Sequence, residues 1–93
     1  MEDRIYLTEL YDYYQGLLTD KQKTYFEEYY FDNLTMEEIA ENHEISKNAV
    51  SKTLIEIKEK LDEYEDILKL YNNRLKITKL LSEEELNKID KYI

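Results

Sequence analysis

Residues 35–54, TMEEIAENHEISKNAVSKTL, predict two short helices joined by a tight turn, the arrangement of a helix-turn-helix. Thr35 followed three residues later by Glu38 is a capping-box pattern, so the first helix should begin there. Ser46 is a good N-cap for the second helix, because its hydroxyl can accept a hydrogen bond from an otherwise unpaired backbone N–H. Two short helices at this spacing also occur in plain helical bundles, and that alternative stays open.

The start of the second helix carries polar side chains that are able to contact DNA. In a DNA-binding helix-turn-helix, the second helix enters the major groove and its N-terminal outward residues meet base edges. Lysine and asparagine side chains make such contacts, and serine can join them. The candidate recognition residues are therefore Lys47, Asn48, Ser51 and Lys52.

Net charge argues against tight DNA binding by this motif. Acidic residues outnumber basic ones 22 to 13 along the chain, for a net charge of −9. Affinity for duplex DNA comes largely from Lys and Arg side chains that neutralise phosphates and release counterions. Residues 35–54 carry two bases, Lys47 and Lys52, against four acids: Glu37, Glu38, Glu41 and Glu44. The motif thus predicts a nucleic-acid-binding fold, whereas its charge favours another kind of ligand.

Composition indicates one all-α domain. The chain has 93 residues, no Pro, one Gly and no Cys, so it offers few helix breakers and no disulfide. We expect residues 3–62 to form the helix-turn-helix bundle and residues 63–93 to form a C-terminal helical extension. No apolar run is long enough for a membrane span, and the acidic N-terminus does not resemble a signal peptide, which predicts a cytoplasmic protein.

Catalytic chemistry finds little support in the sequence. His43 is the one histidine, and it falls in the predicted turn with no residues arranged around it as a catalytic triad. A single glycine excludes a glycine-rich phosphate loop, and no spacing of side chains stands out as a metal site. We therefore expect no enzyme activity, no cofactor and no metal.

Helical spacing and capping patterns predict five helices. The first covers residues 3–15, the second begins at a capping box formed by Thr19 and Gln22, and the fifth begins at another formed by Ser82 and Glu85. Ten residues are tyrosine, and seven of them precede Phe31. Their spacing favours a tyrosine-built core over a stacking platform for single-stranded nucleic acid, because acids rather than Lys and Arg lie between them.

Residues 46–81 contain no helix breaker and predict one long fourth helix of about 50 Å. Apolar residues recur along it at spacings of four and three, which is a heptad seam: Val50, Leu54, Ile57, Leu61, Tyr64, Leu68, Tyr71 and Leu75. Beyond residue 66 a second apolar set appears: Ile67, Leu70, Ile77, Leu80 and Leu81. A helix that is apolar on two sides needs partners on both. We expect a homodimer with Leu68, Tyr71 and Leu75 at the interface, although an intramolecular bundle also satisfies the pattern.

A positively charged segment lies within this predicted helix. Residues 69–79 carry four bases and no acid: Lys69, Arg74, Lys76 and Lys79. One interpretation is a contact for RNA or for an acidic protein partner. The other is the favourable placement of cations at a helix C-terminus, together with ordinary solvated charge.

Two stretches of the chain resemble a known family. Residues 17–50, LLTDKQKTYFEEYYFDNLTMEEIAENHEISKNAV, and residues 61–71, LDEYEDILKLY, are similar to the YlxM-type proteins of Gram-positive bacteria and mycoplasmas. These are small helix-turn-helix proteins, predicted to bind DNA and associated with the genes of the signal recognition particle. The helix-turn-helix also resembles region four of bacterial sigma factors. Glu44 stands where such a turn usually has Gly, so a positive φ there costs about 1 kcal/mol.

The resemblance implies an all-helical fold and a regulatory role in the signal recognition particle pathway, with DNA or a protein or RNA component of the particle as the partner. Two function classes follow. The first is a regulator that reads DNA through the recognition residues. The second is a protein-interaction module that keeps the helix-turn-helix fold without binding specific DNA.

Overall fold

The computed structural model describes residues 4–81 and 83–89, without the side chains of residues 83, 86 and 89. The described part contains six α-helices, one 3₁₀ turn and no strand: α1 Arg4–Tyr14, the 3₁₀ turn Gln15–Leu17, α2 Asp20–Tyr30, α3 Met36–His43, α4 Lys47–Leu68, α5 Leu70–Leu80 and α6 Glu83–Ile89. The all-α fold predicted from composition is confirmed.

Three helices begin at the N-caps that the sequence predicts. Thr19, Thr35 and Ser46 each accept a hydrogen bond from a backbone N–H three residues on. The two threonines also donate their own backbone N–H to the side chain at that position, which completes both capping boxes. These bonds satisfy amides that the helices themselves leave unpaired, and so they fix where α2, α3 and α4 start. The cap predicted at Ser82 lies outside the described residues.

The core lies around α4, against which α1, α2 and α3 pack. Its apolar stripe of Val50, Leu54, Ile57 and Leu61 is buried, so the first half of the predicted seam faces the interior. Tyrosines supply much of the rest of the core: Tyr11, Tyr14, Tyr25 and Tyr30 are all buried. The ring of Tyr11 stacks on that of Phe26 at 4.3 Å between centroids. The interpretation of the tyrosines as core residues is therefore confirmed for these four.

The prediction of one long helix over residues 46–81 is wrong. α4 ends at Leu68, Lys69 adopts a left-handed conformation with φ of 54°, and α5 begins at Leu70. Because of this break, α5 turns back to contact α1 instead of continuing the line of α4. The predicted division at residues 62 and 63 falls inside α4, where the helix is continuous, and it stays a prediction.

A buried carboxylate explains the break. Glu65 is 8% exposed and accepts hydrogen bonds from the Tyr14 hydroxyl at 2.6 Å, the Tyr71 amide at 3.2 Å and the Asn72 amide at 3.0 Å. The Tyr14 oxygen in turn accepts from the Leu70 amide at 3.1 Å. The first amides of α5 thus find acceptors outside their own helix, as the amides at a helix start require. These bonds replace the helical ones that a continuous α4 would have given them.

The described helices have no stretch that combines the length and apolar character needed to cross a bilayer. Along its principal axes the molecule measures 49 × 26 × 24 Å.

Candidate functional site

The helix-turn-helix consists of α3, a short turn and α4. Glu44 in the turn is left-handed, with φ of 55°, as the comparison with glycine-containing turns led us to expect. The amide of Ile45 donates to the Ala40 carbonyl at 3.0 Å and closes the C-terminus of α3. A non-glycine residue in this conformation costs about 1 kcal/mol, so the surrounding packing must impose it.

His43 attaches the end of α3 to α2. Its Nε2 lies 2.9 Å from a carboxylate oxygen of Glu28, and its ring meets the ring of Tyr25 edge-on at 4.8 Å between centroids. The histidine is half-buried. These contacts give the single histidine a structural role in fixing the helix-turn-helix to the bundle.

The first candidate recognition residue is already paired within the motif. The Nζ of Lys47 lies 2.8 Å from a carboxylate oxygen of Glu37, at the start of α3. Hydrogen bonding in this exposed pair lowers the pKa of Glu37 and raises that of Lys47. A phosphate would have to compete with Glu37 for this ammonium group.

The other three recognition residues lie together on one surface. Asn48, Ser51 and Lys52 line a shallow hollow of about 490 Å³ on the outer face of α4. Three residues from the following turns complete its lining: Ile55, Glu56 and Glu59. All three of these are exposed. A DNA duplex seated here would meet two carboxylates and an isoleucine beside the candidate base contacts.

The basic segment lies on a separate short helix, which corrects its predicted place near the end of a long one. Lys69 is the residue of the break, whereas Arg74, Lys76 and Lys79 belong to α5. Lys69, Lys76 and Lys79 are exposed and Arg74 is half-buried. Lys79 lies in the last turn of α5 and Lys69 is the C-cap of α4, so the helix dipole favours a cation at both positions.

The predicted dimer residues differ in how far the single chain covers them. Leu68 and Leu75 are 45% and 42% exposed. Tyr71 is half-buried, and its ring lies 5.8 Å from that of Tyr6 and 6.3 Å from that of Tyr13. One chain therefore supplies a partner for Tyr71 and leaves much of the two leucines uncovered.

Sequence reasoning missed Arg4, which ties the start of α1 to the end of α2. Its Nη2 donates to the carbonyl oxygens of Tyr29 at 3.0 Å and Tyr30 at 2.8 Å, and to Oδ1 of Asn33 at 3.1 Å. The guanidinium carbon also lies 4.9 Å from the Tyr30 ring centroid. The sequence gives little indication of this role for Arg4, because the backbone carbonyls that accept its hydrogen bonds cannot be identified from local sequence patterns.

No group of three or more His, Asp or Glu side chains within residues 4–81 and 83–89 could hold a metal ion. The polar side chains described above form contacts at helix ends or lie on the surface.

With this geometry in view, the comparison with known proteins identifies the family. Residues 1–92 match the family described as "Putative helix-turn-helix protein, YlxM / p13 like" (UPF0122). The chain belongs to this family. Members include a protein of Ureaplasma parvum serovar 3, which is 46% identical over 88 residues, 91% of this chain and 89% of that protein.

Two members from bacilli are more distant in sequence. The protein of Bacillus mycoides is 39% identical over 92 residues, covering 91% of this chain and 84% of its own length. The protein of a Geobacillus species is 35% identical over 92 residues, covering 99% of this chain and 84% of its own length. The resemblance to YlxM-type proteins is therefore confirmed over nearly the whole chain.

Proposed function

We propose that this chain is a non-enzymatic regulatory helix-turn-helix protein of the signal recognition particle pathway that acts mainly through protein contacts and binds duplex DNA only weakly. The observation that carries this proposal is the placement of carboxylates on the recognition side of α4. Glu37 is paired with Lys47 at 2.8 Å, and Glu56 and Glu59 share the hollow of the other candidate recognition residues.

Electrostatics supports a protein ligand over a duplex. DNA presents a dense line of phosphates, and each Lys or Arg that neutralises a phosphate favours binding by releasing counterions from the DNA into solution. At physiological salt, charges interact over about 8 Å, so the carboxylates within the recognition surface matter more than distant ones. Of the two candidate bases, Lys47 is already paired with Glu37, and Lys52 shares its hollow with Glu56 and Glu59.

Support for the pathway comes from the family resemblance alone, since YlxM-type proteins are associated with the genes of the signal recognition particle. An RNA component of the particle is one candidate partner, because the chain has a basic segment that can contact phosphates. α5 and the residue before it carry four cations and no acid: Lys69, Arg74, Lys76 and Lys79. Phosphate contacts by such groups weaken steeply with salt and carry little sequence information.

The RNA contact is tested by binding of the particle's RNA to the native chain and to a variant with all four cations changed to Gln. We expect the native chain to bind and the variant to lose that binding most clearly at low salt. Equal binding by both chains at every salt concentration would place the contact elsewhere. Absence of binding by the native chain would end the RNA proposal and would favour a protein partner or no direct contact.

Sequence-specific DNA binding is the second candidate function. The observation that favours it is the exposure of Asn48 and Lys52 in the first turns of a capped α4, where a recognition helix presents its base contacts. The two candidates differ in the affinity that the native chain should show for a duplex.

A variant with three carboxylates neutralised tests whether those carboxylates weaken duplex binding. The triple change Glu37→Gln, Glu56→Gln and Glu59→Gln should raise duplex affinity by about tenfold or more, because it removes repulsion inside the recognition surface. A matched control removes three acids elsewhere: Glu9→Gln, Asp12→Asn and Glu63→Gln. We expect a smaller gain from the control in anisotropy titrations at about 150 mM salt. Equal gains would show that these carboxylates have no local role.

We further propose that two copies of the chain associate through Leu68, Tyr71 and Leu75. The support is the exposed apolar area of the two leucines beside the α4–α5 break. Neighbouring Ile67, at 69% exposed, and Leu70, at 46%, extend this apolar area.

A further inference from the structure

A groove runs between the end of α2, the start of α3 and the first half of α4. It consists of two adjoining hollows of about 400 and 260 Å³, and both are lined by Tyr29 and Met36. The first hollow extends to Arg4 and Lys47, and the second extends along α4 to Lys58. Neither the capping patterns nor the resemblance points to this groove, because its walls come from four separate segments of the chain.

The floor of the groove is apolar and partly exposed. Tyr29, Leu34 and Met36 are half-buried and pack on the core from outside. Ile55 lies at the other wall and is 55% exposed. Side chains of this kind become fully covered when an amphipathic helix lays its apolar face into a groove.

The charge of the groove is opposite to that of the chain. Three cations line it, Arg4, Lys47 and Lys58, against the single carboxylate of Glu37. The chain as a whole carries −9. A ligand seated in the groove contacts this lining, in which bases outnumber acids.

We propose that this groove binds an acidic amphipathic helix of a partner protein. The apolar face of that helix covers Tyr29, Met36 and Ile55, and its carboxylates face Arg4 and Lys58. The inference rests on the proposed protein-directed function and adds to it the site and the chemistry of the partner.

A peptide helix suits the groove better than a duplex does. A helix with its side chains is about 10–12 Å across and can lay one apolar face on the floor of the groove. A duplex is wider and would bring phosphates onto Glu56 and Glu59, which line the neighbouring hollow. Phosphates also gain nothing from an apolar floor of tyrosine, methionine and isoleucine.

The test uses a fluorescent peptide of roughly 16 residues, about four turns, with Leu at helical spacings of three and four and Glu at the other positions. Two comparison peptides carry Lys in place of Glu, or the same composition with the Leu periodicity scrambled. Groove variants are Lys58→Glu and Ile55→Ser. Matched controls are Lys60→Glu, on another face of the same helix, and Ile5→Ser, an exposed isoleucine that does not line the groove.

We expect saturable, salt-sensitive binding of the acidic peptide and weaker binding of both comparison peptides. Lys58→Glu should weaken binding by about fivefold, and Ile55→Ser by about tenfold. The two controls should change it by less than about twofold. Circular dichroism of every variant should show native helix content.

Other outcomes overturn the inference. Failure of the acidic peptide to bind, equal binding of the lysine peptide, or equal losses in the matched controls would each do so. Duplex binding or self-association that is lost in Lys58→Glu would assign the groove to DNA or to a second copy. The proposed function fails separately, when the native chain forms a tight sequence-selective DNA complex, whatever the peptide does.

Discussion

At the scale of single residues, Glu65 has the largest structural consequence. It is an acid on the inward side of α4, one turn beyond the buried Leu61, and it is itself buried. A buried carboxylate is tolerated where hydrogen bonds satisfy it, and Glu65 accepts three. The sequence shows an acid at an inward position of the helix, which indicates a special role. The three donors that explain it are brought together only by the fold.

Removal of this carboxylate should destabilise the chain strongly. Glu65→Ala leaves the Tyr14 hydroxyl and the Tyr71 and Asn72 amides without their acceptor, and should lower the free energy of unfolding by about 2–4 kcal/mol. Urea denaturation measures this. Glu63→Ala, two residues away and exposed, should change it by less than about 0.5 kcal/mol. Similar effects of both substitutions would contradict the capping role of Glu65.

The Tyr14 hydroxyl makes stability depend on alkaline pH. Burial and then the hydrogen bond to Glu65 raise the pKa of Tyr14 from 10.0 to about 12. Because the pKa in the folded chain is the higher one, this contribution to stability is fully present below pH 10 and is lost as the pH rises to about 12. Tyr14→Phe should be less stable at neutral pH and should show a shallower fall over that window in urea denaturation. An identical slope for both chains would contradict this assignment.

At the scale of elements, helix starts were predictable and the α4–α5 break was not. The caps at Thr19, Thr35 and Ser46 are local patterns within four residues, and all three are formed. The break at Lys69 has no glycine, proline or N-cap side chain to mark it. It depends on Tyr14, 55 residues earlier, so spacing within residues 46–81 predicted a continuous helix.

Lys69 is strained in its left-handed conformation, and glycine should relieve the strain. Lys69→Gly should raise the free energy of unfolding by about 0.5–1 kcal/mol, because glycine adopts positive φ without penalty from a Cβ. Lys60→Gly, within α4, should instead lower it by about 1 kcal/mol. Destabilisation by Lys69→Gly in urea denaturation would show that the break is not held in this conformation in solution.

At the scale of the whole molecule, charge and apolar surface are unevenly distributed. Residues 69–79 carry four bases and no acid in a chain of net charge −9. Exposed apolar side chains gather near the break between α4 and α5, where Ile67, Leu68, Leu70 and Leu75 are all more than 40% exposed. Exposed apolar area of this kind is typical of interaction surfaces.

Self-association is the expected use of that surface. We expect light scattering to give a dimer mass at micromolar concentrations, and Leu75→Glu to reduce it to the monomer mass by placing a charge in the interface. Ile55→Glu, an equally drastic change at an exposed site in the first half of α4 and away from the break, should leave the dimer intact. A monomer mass for the native chain across this concentration range would end the dimer proposal.

The candidate site was predictable as far as its residues lie in one motif. The positions of Asn48, Ser51 and Lys52 on one face follow from helical spacing after a reliable cap. The pairing of Lys47 with Glu37 and the groove beneath Arg4 depend on how α1, α2, α3 and α4 meet, and no local pattern specifies that. Net charge argued against tight DNA binding, but it did not show which carboxylates lie beside the candidate recognition residues.

The most direct test of the central claim is selection from a random-sequence duplex pool by the native chain at about 150 mM salt, followed by anisotropy titration of the selected duplexes. A protein-directed helix-turn-helix with carboxylates on its recognition side predicts no enriched sequence and no sub-micromolar complex. The contrary result is an enriched sequence bound with sub-micromolar Kd, whose binding is lost when Lys47→Ala and Asn48→Ala are combined.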